Sequence, residues 1–565
     1  MPRQEYTQYN IDMYIRITQR KNKDGSVTRY VQLAHNEWDP VARRSRARIL
    51  FNFGREENVD REALKRLVGS ITRFLGPEEA LKAQAQLEGK ETLKFISSRP
   101  MGGAWILDGL WQEMGIKSTL ERMLKDRKFQ APVERAIFAL VANRALAPSS
   151  KLAVEEWVKD DVFISGLEEV PVQQLYRAMD FLLEAEESLQ RDVFFSVADL
   201  LNLEVDLLYF DTTSTYFEIE EEDAEGLRRK GHSKDRRPDL PQVVIGLAVT
   251  REGIPVRCWV WPGNTTDMSV VEQVKQDLVG WRLGRVITVV DRGLASEDNL
   301  KYLQRTGGHY IAGEKLRTGK ASVREALSRP GRFKAVRDNL EVKEIIVGDG
   351  EARVRYILVR NPEQAARDRA ERERILSELR LALKRIGDLK GAPHTRACCQ
   401  LIAHPTYGRY VKTDRLGQPK IDYAKVRAEE HLDGKYLLRT SDDTLSAEDV
   451  ALGYKQLLEV EEAFRTLKHT LELRPIYHRL EDRIRSHILL CWLALLLIRV
   501  AELRTGQTWS RIRATMQRMH LGVFEGSVGR LVQRTETAPA QRQIFKALKV
   551  KEPPLLFSVV PARKR

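Results

Sequence analysis

The chain has little that would fasten it from outside. It holds 4 cysteines in 565 residues (Cys258, Cys398, Cys399 and Cys491), and none forms a C-x2-C pair with histidine partners. That excludes a disulfide scaffold and a zinc-finger site, and it fits a reducing cytoplasm. The vicinal Cys398-Cys399 pair reads as small-residue packing. No apolar stretch follows Met1, so no secretory signal is expected. The longest apolar run, Ile488 to Ile498, lies between His487 and Arg499. A run of about eleven residues is too short to span a bilayer, so a buried core helix is expected there. No internal repeat or long low-complexity tract is present. A nucleotide loop is also excluded. The stretch Gly313 to Ala321 follows a strand-like run, but its spacing is one residue too long and Ala321 stands where Ser or Thr is required.

Positive charge, by contrast, is in surplus. Lys and Arg number 94 against 80 Asp and Glu, a net +14. Such a balance favours a polyanionic partner, usually nucleic acid. The length allows several domains. Residues 1–56 read as a small β unit. Tyr14-Ile-Arg-Ile-Thr and Tyr30-Val-Gln-Leu alternate, with Asp24-Gly25 as a turn and Ile49–Phe53 as a further strand. Residues 57–204 read as helical, most clearly the helix opened by Ala131-Pro132. Residues 205–312 carry strand runs and helices in mixed α/β order. Residues 313–445 look like an insertion, with a helix opened by Asn361-Pro362, stopped near Gly387, and striped by Ile375, Leu379, Leu383 and Ile386. Residues 446–502 hold a long helix capped by Ser446 and a second from about 480. Residues 503–565 form a helical, then basic, tail.

Three acids stand out. Asp211 ends the run Leu207-Leu-Tyr-Phe, and Asp291 ends Val286-Ile-Thr-Val-Val. A carboxylate closing a buried strand costs free energy unless it is paired or holds a cation, although either could be a turn aspartate. The third lies in Tyr454–Lys468. Steps of seven return to nearly the same helix face, so Tyr454, Glu461 and Lys468 are expected in one polar line. Glu462 points about 100° away and Glu459 about 200° away, which singles out Glu461. An ordinary Glu461–Arg465 surface pair is the plain alternative. Carboxylate oxygens suit Mg2+ or Mn2+. Two such ions roughly 4 Å apart would serve in-line phosphoryl transfer. Asp211, Asp291 and Glu461 are therefore the candidate catalytic and metal-holding residues, with Arg465 and Lys468 placed to hold phosphates.

With these residues assembled, the chain resembles bacterial insertion-sequence transposases of the DDE type. The closest resemblance is to the insertion-sequence-four superfamily and its sixteen-thirty-four branch. Three of the four positions of the family's Y-x2-R-x3-E-x6-K block match, at Tyr454, Glu461 and Lys468. Leu457 stands in place of the arginine, and Leu458 where an aromatic is common. Tyr209-Phe-Asp211-Thr-Thr, Val289-Val-Asp291-Arg-Gly-Leu, Pro262-Gly-Asn264-Thr-Thr-Asp267 and Leu473-Arg-Pro-Ile-Tyr-His478-Arg also resemble family blocks. The resemblance implies a ribonuclease-H-like catalytic core interrupted by an insertion domain, with two Mg2+ or Mn2+ ions as cofactors. It also implies cut-and-paste transposition of double-stranded DNA at terminal inverted repeats, often through a hairpin, by a homodimer in a synaptic complex. Residues 57–204 would then be a candidate DNA-end-binding region and 503–565 a candidate dimerisation region. The expected location is the bacterial cytoplasm, at the nucleoid.

DNA-facing candidates follow. Tyr454 and Lys468 would position phosphates beside Arg465. Arg228, Arg229, Lys230, Lys234, Arg236 and Arg237 crowd one loop, with His232 among them, and Arg479 and Arg483 share a helical i, i+4 spacing. Each group has a plain reading as solvated surface. His478 and His487 read as structural or phosphate-adjacent. Two alternatives stay open: a related ribonuclease-H-like nuclease, and a DNA-binding protein derived from a transposase that no longer cuts.

Overall fold

The computed structural model describes residues 13–23, 25–39, 44–75, 94–125, 127, 132–201, 207–266, 269–281, 287–317, 319–350, 353–526 and 529–561. Asp24, Asp267 and the segments around Val205 and Arg285 lie outside the described residues. Two compact units emerge, one built mainly from residues 1–95 and the other from 96–523 and 531–559.

In the first unit, β1 (Met13–Lys21), β2 (Val27–Asp39) and β3 (Arg44–Arg55) form an antiparallel meander. Gly25 turns β1 into β2 at φ 84°, a conformation open to glycine at little cost. A helix, Arg61–Leu75, follows.

The second unit begins at the end of β4 (Lys94–Pro100) and continues through helices to Leu201. The expected helix at 131–145 spans Val133–Leu146 and is buried along its whole length. Its Glu134 and Arg135 are kept inside by mutual pairing, by Asp108 and by the Trp111 indole. A nine-stranded mixed sheet then organises the unit. Its strands are β5 (Leu207–Tyr216), β6 (Gln242–Val249), β7 (Pro255–Pro262), β8 (Ile287–Val290), β9 (His309–Glu314), β10 (Lys334–Arg337), β11 (Leu340–Val347), β12 (Val354–Arg360) and β15 (Lys435–Thr440), in the order β10-β11-β12-β15-β9-β8-β5-β6-β7. β5, β8 and β9 are mutually parallel, and every other neighbour is antiparallel.

Both faces of the central strands are buried, and the two-residue period divides them cleanly. Leu207, Tyr209, Val243, Ile245, Leu247, Ile287, Val289 and Ile311 join the apolar cluster on one side. Leu208, Phe210, Val244, Ala248, Val290, Tyr310 and Ala312 join the cluster on the other. The helices of residues 447–505 pack on the first side.

The segment read as an insertion contributes β10, β11, β12 and β15 to this sheet. Between β12 and β15 lies a helical subregion with the hairpin β13 (Val411–Thr413) and β14 (Pro419–Ile421) and its own core of Ile375, Leu379, Ile386, Cys398 and Leu401. The Asn361-Pro362 helix runs to Gly387, and Asn361 accepts the Gln364 N–H as its cap.

Three local expectations are corrected. Asp211 does not end its strand, because β5 continues to Tyr216. What ends at Phe210 is the described pairing with β8; the pairing with β6 carries on. Nor is the Ser446 helix continuous. It runs Ala447–Lys455, tightens through Gln456 and Leu457, resumes as Leu458–Arg465 and widens into a π turn at Thr466–Thr470. Arg479 precedes the last long helix, Glu481–Thr505, so it shares no helical face with Arg483. That helix is long and apolar enough to cross a membrane, but 83% of its apolar window is buried inside the protein, as expected of a core helix.

Candidate active site

The first two acids come together through strand register. Leu207 faces Ile287 and Phe210 faces Val290 across the parallel β5–β8 pair. One residue further, Asp211 stands beside Asp291, which opens the turn after β8. Adjacent strands lie about 5 Å apart, so the two residues are neighbours. Parity sends both towards the side of Tyr209 and Val289, where the Tyr454 and Glu461 helices pack.

Each aspartate already has company. The Asp211 carboxylate accepts the Thr212 N–H at 2.7 Å, and the Lys234 ammonium stands 3.7 Å away. Lys234 reaches it from the basic loop and is held by the Thr212 carbonyl and hydroxyl at 2.6 and 2.7 Å. Asp291 accepts the Tyr454 hydroxyl at 3.0 Å. Burial, and then the Asp291 charge, raise the Tyr454 phenol well above its ordinary value, so it stays a donor. Space for that hydroxyl comes from Gly313 on β9. A Cβ there would collide with the Tyr454 oxygen and with Arg292. The helix break beside Tyr454 is anchored by Gln456, which accepts the Tyr209 hydroxyl at 2.9 Å.

Glu461 lies on the Leu458–Arg465 helix, which packs on β5 and β6, and its side chain is exposed. The three glutamates separate as helix phase predicts. Glu459 pairs with Arg499 at 2.9 Å, and Glu462 takes Arg465. The alternative surface pair of Glu461 with Arg465 does not form; Arg465 pairs with Glu462. Among the described residues Glu461 has no hydrogen-bond or ion-pair partner.

Lys468 lies in the π turn and is committed elsewhere. Its ammonium meets Asp235 at 2.9 Å, and Arg474 meets the same carboxylate at 2.7 Å. Burial lowers the Lys468 value, against the pull of Asp235. Lys234 was expected only as one of the DNA-facing cations of the basic loop, and Asp235 was not among the expected site residues. Its signal in the sequence was one acid among the cations of a basic loop. Leu457, at the arginine position, is buried in the apolar cluster. An arginine in that same pocket would carry an unpaired charge into it. Leu458 beside it is 58% exposed.

The other basic candidates are scattered. Arg228 grips Asp223 with two bonds, Arg229 donates to the Asp223 and Ala224 carbonyls, and Arg237 pairs with Asp239. Lys230, Arg236 and Arg479 are exposed. Arg483 sits over the Tyr176 ring and 3.5 Å from Asp180.

As a donor set for a hard cation, two neighbouring aspartates supply the right oxygens, with Glu461 on the helix packed over β5. Among the described residues, however, no three such side chains are gathered into a metal-holding group.

Residues 214–497, half the chain, match the family described as the transposase DDE domain, and residues 15–83 match the N-terminal domain of IS1634 family transposases. The chain belongs to the IS1634 family of DDE transposases. The DDE match includes Asp291 and Glu461 and begins just past Asp211. No curated protein matches this transposase. Among solved structures it is similar to a piggyBac transposase synaptic complex with hairpin DNA, at 11% identity and a TM-score of 0.33, over 73% of this chain and 78% of that one.

Proposed function

We propose that this transposase binds double-stranded DNA at terminal inverted repeats, cuts the strands and joins them to a target. In this reading the sheet is a ribonuclease-H-like core, and Asp211, Asp291 and Glu461 hold two Mg2+ or Mn2+ ions. The protein would act as a homodimer in a synaptic complex, at the bacterial nucleoid. The observation that carries the reading is the β5–β8 register, which sets two acids side by side on the face where the glutamate helix packs.

Bound divalent ions would activate the attacking oxygen and stabilise the leaving one. The chain's own groups do the rest. Tyr454 donates to Asp291 and fixes which oxygen stays free. Lys234 balances the Asp211 charge and yields its place as the site loads. Lys468 and Arg474 hold the strand's phosphates once Asp235 releases them. A second reading, DNA binding without cleavage, draws on the Lys234 ammonium beside Asp211 and on the ungathered third acid.

The test uses the full chain with a linear duplex carrying the repeats that flank its gene, in Mg2+. The wild type cleaves. Asp211→Asn, Asp291→Asn and Glu461→Gln bind the duplex and do not cleave. A Glu461→Gln variant cutting at the wild-type rate would remove the glutamate from the site. A wild type that binds but never cuts would favour the second reading.

A further inference from the structure

A cavity of ≈ 430 Å³ has a character opposite to that of the acid site. Arg144, Lys151, Arg474, His478 and His487 line it. Arg474 is answered by Asp235. Among the described residues neither Arg144 nor Lys151 is in an ion pair with a carboxylate, and of the carboxylates only Glu472 pulls on Arg144, from a distance. Both cations are 5% exposed. Among the described residues Arg144 donates hydrogen bonds to the Leu471 and Glu472 carbonyls, at 3.5 and 3.3 Å, and its Nε has no acceptor.

The lysine is equally underused. His487 Nε2 donates to the Leu473 carbonyl at 3.1 Å, which leaves Nδ1 as an acceptor. Lys151 donates to that Nδ1 at 3.2 Å, its one recorded bond. An ammonium carries three protons, so it has donors to spare. Glu472, exposed at the rim, is the only carboxylate among the lining residues.

Buried cations without counter-charges are costly and call for an anion. We propose that this cavity binds a phosphate group, held by Arg144 and Lys151. The proposal rests on the cavity's own charges and not on the assignment of the metal-holding acids. Titration behaviour agrees with it. Burial, and then Arg144, lower Lys151 to about 7. Burial, Lys151, Arg483 and Arg144 lower His478 to about 4, and burial, then Lys151 and Arg144, push His487 well below its ordinary value. Four groups that disfavour one another's protons are groups that an anion would relieve. The phosphate could be free, or it could belong to a DNA backbone whose next phosphates reach Arg474 and Lys468.

The experiment is a calorimetric titration of inorganic phosphate into the full chain, in EDTA, at about pH 6, where Lys151 is charged. One saturable site is expected. Lys151→Met weakens it at least about tenfold, the loss of one charge-assisted bond. Arg127→Ala, on the surface elsewhere, leaves it unchanged. Because Lys151→Met could misfold, the His478 ring resonance of the unsubstituted protein is followed as well. Phosphate should raise its apparent pKa. No saturable binding, a folded Lys151→Met that binds as well as the wild type, or an unmoved His478 each overturns the proposal. Adding duplex then identifies the source. Displacement of phosphate from His478 assigns the site to the DNA backbone, and simultaneous binding assigns it to free phosphate; either supports a phosphate site. EDTA keeps the outcome separate from cleavage.

Discussion

The acid pair and the basic cavity treat charge in opposite ways. In the acid pair each carboxylate has a neighbour that offsets it: Lys234 beside Asp211, Tyr454 on Asp291. In the cavity Arg144 and Lys151 face neutral carbonyls and an imidazole. Sheet register explains the first case, because it brings two like charges together and the fold supplies partners. Helix packing explains the second. Val133–Leu146 and Glu481–Thr505 pack for apolar reasons and carry Arg144 and His487 inside. A satisfied site is stable as it stands, whereas an unsatisfied one is built for something that arrives later.

The sharpest way to break this contrast is at the acids. Asp291→Asn or Asp211→Asn should lower strand cleavage roughly 10³-fold or more, the scale of losing transition-state charge stabilisation. Cleavage assays on a labelled duplex check this, and an unaffected variant would leave only a structural role for that acid.

Lys151 should reveal itself through pH. Its folded value, about 7, lies below the ordinary lysine value of 10.5. The unfolded chain therefore binds the extra proton between those limits, and stability rises with pH across that window. Lys151→Met lacks the slope. Urea unfolding at several pH values should show wild type gaining on the variant by up to several kcal/mol between pH 7 and 10.5, with phosphate flattening the difference. Parallel curves without phosphate would mean that Lys151 is not a buried charge.

Asp235→Asn removes the carboxylate shared by Lys468 and Arg474, whose side chains are 11% and 25% exposed. A loss of about 3 kcal/mol in unfolding free energy is expected for cations left without a partner. A neutral result would show both cations already solvated.

The smallest effects concern Tyr454. Tyr454→Phe should slow cleavage about tenfold, one hydrogen bond to a charged group, with duplex binding intact. Gly313→Ala should cost about 1–3 kcal/mol by overpacking against the same hydroxyl. Combining the two should recover part of that cost, because the colliding oxygen is gone. Simple additivity in thermal unfolding would separate Gly313 from Tyr454.

Much of this was legible in the residues. The apolar runs that become β5, β6 and β8, the Asn361 cap and the different helix faces of Glu459, Glu461 and Glu462 follow from local patterns of residue type and spacing. The reach of Lys234 into the site was not legible, nor was the Asp235 bridge, because each joins residues far apart in the chain. The polar line of Tyr454, Glu461 and Lys468 was read from an ideal helix. A break at Gln456–Leu457 and a π turn at Thr466–Thr470 shift its phase, and Lys468 ends on Asp235.

By itself the sequence determined the class of the protein, and it nominated three acids together with the strands and helices that carry them. These depend on side-chain chemistry and spacing along one segment. Only the tertiary structure decided which charges meet. β5 pairs with β8 although their sequences lie far apart, and that pairing sets Asp211 beside Asp291. Helices packed for their apolar faces carry Arg144 and Lys151 into a cavity where, among the described residues, neither forms an ion pair with a carboxylate. Electrostatic energy depends on distance and burial in space, and spacing along the chain specifies neither.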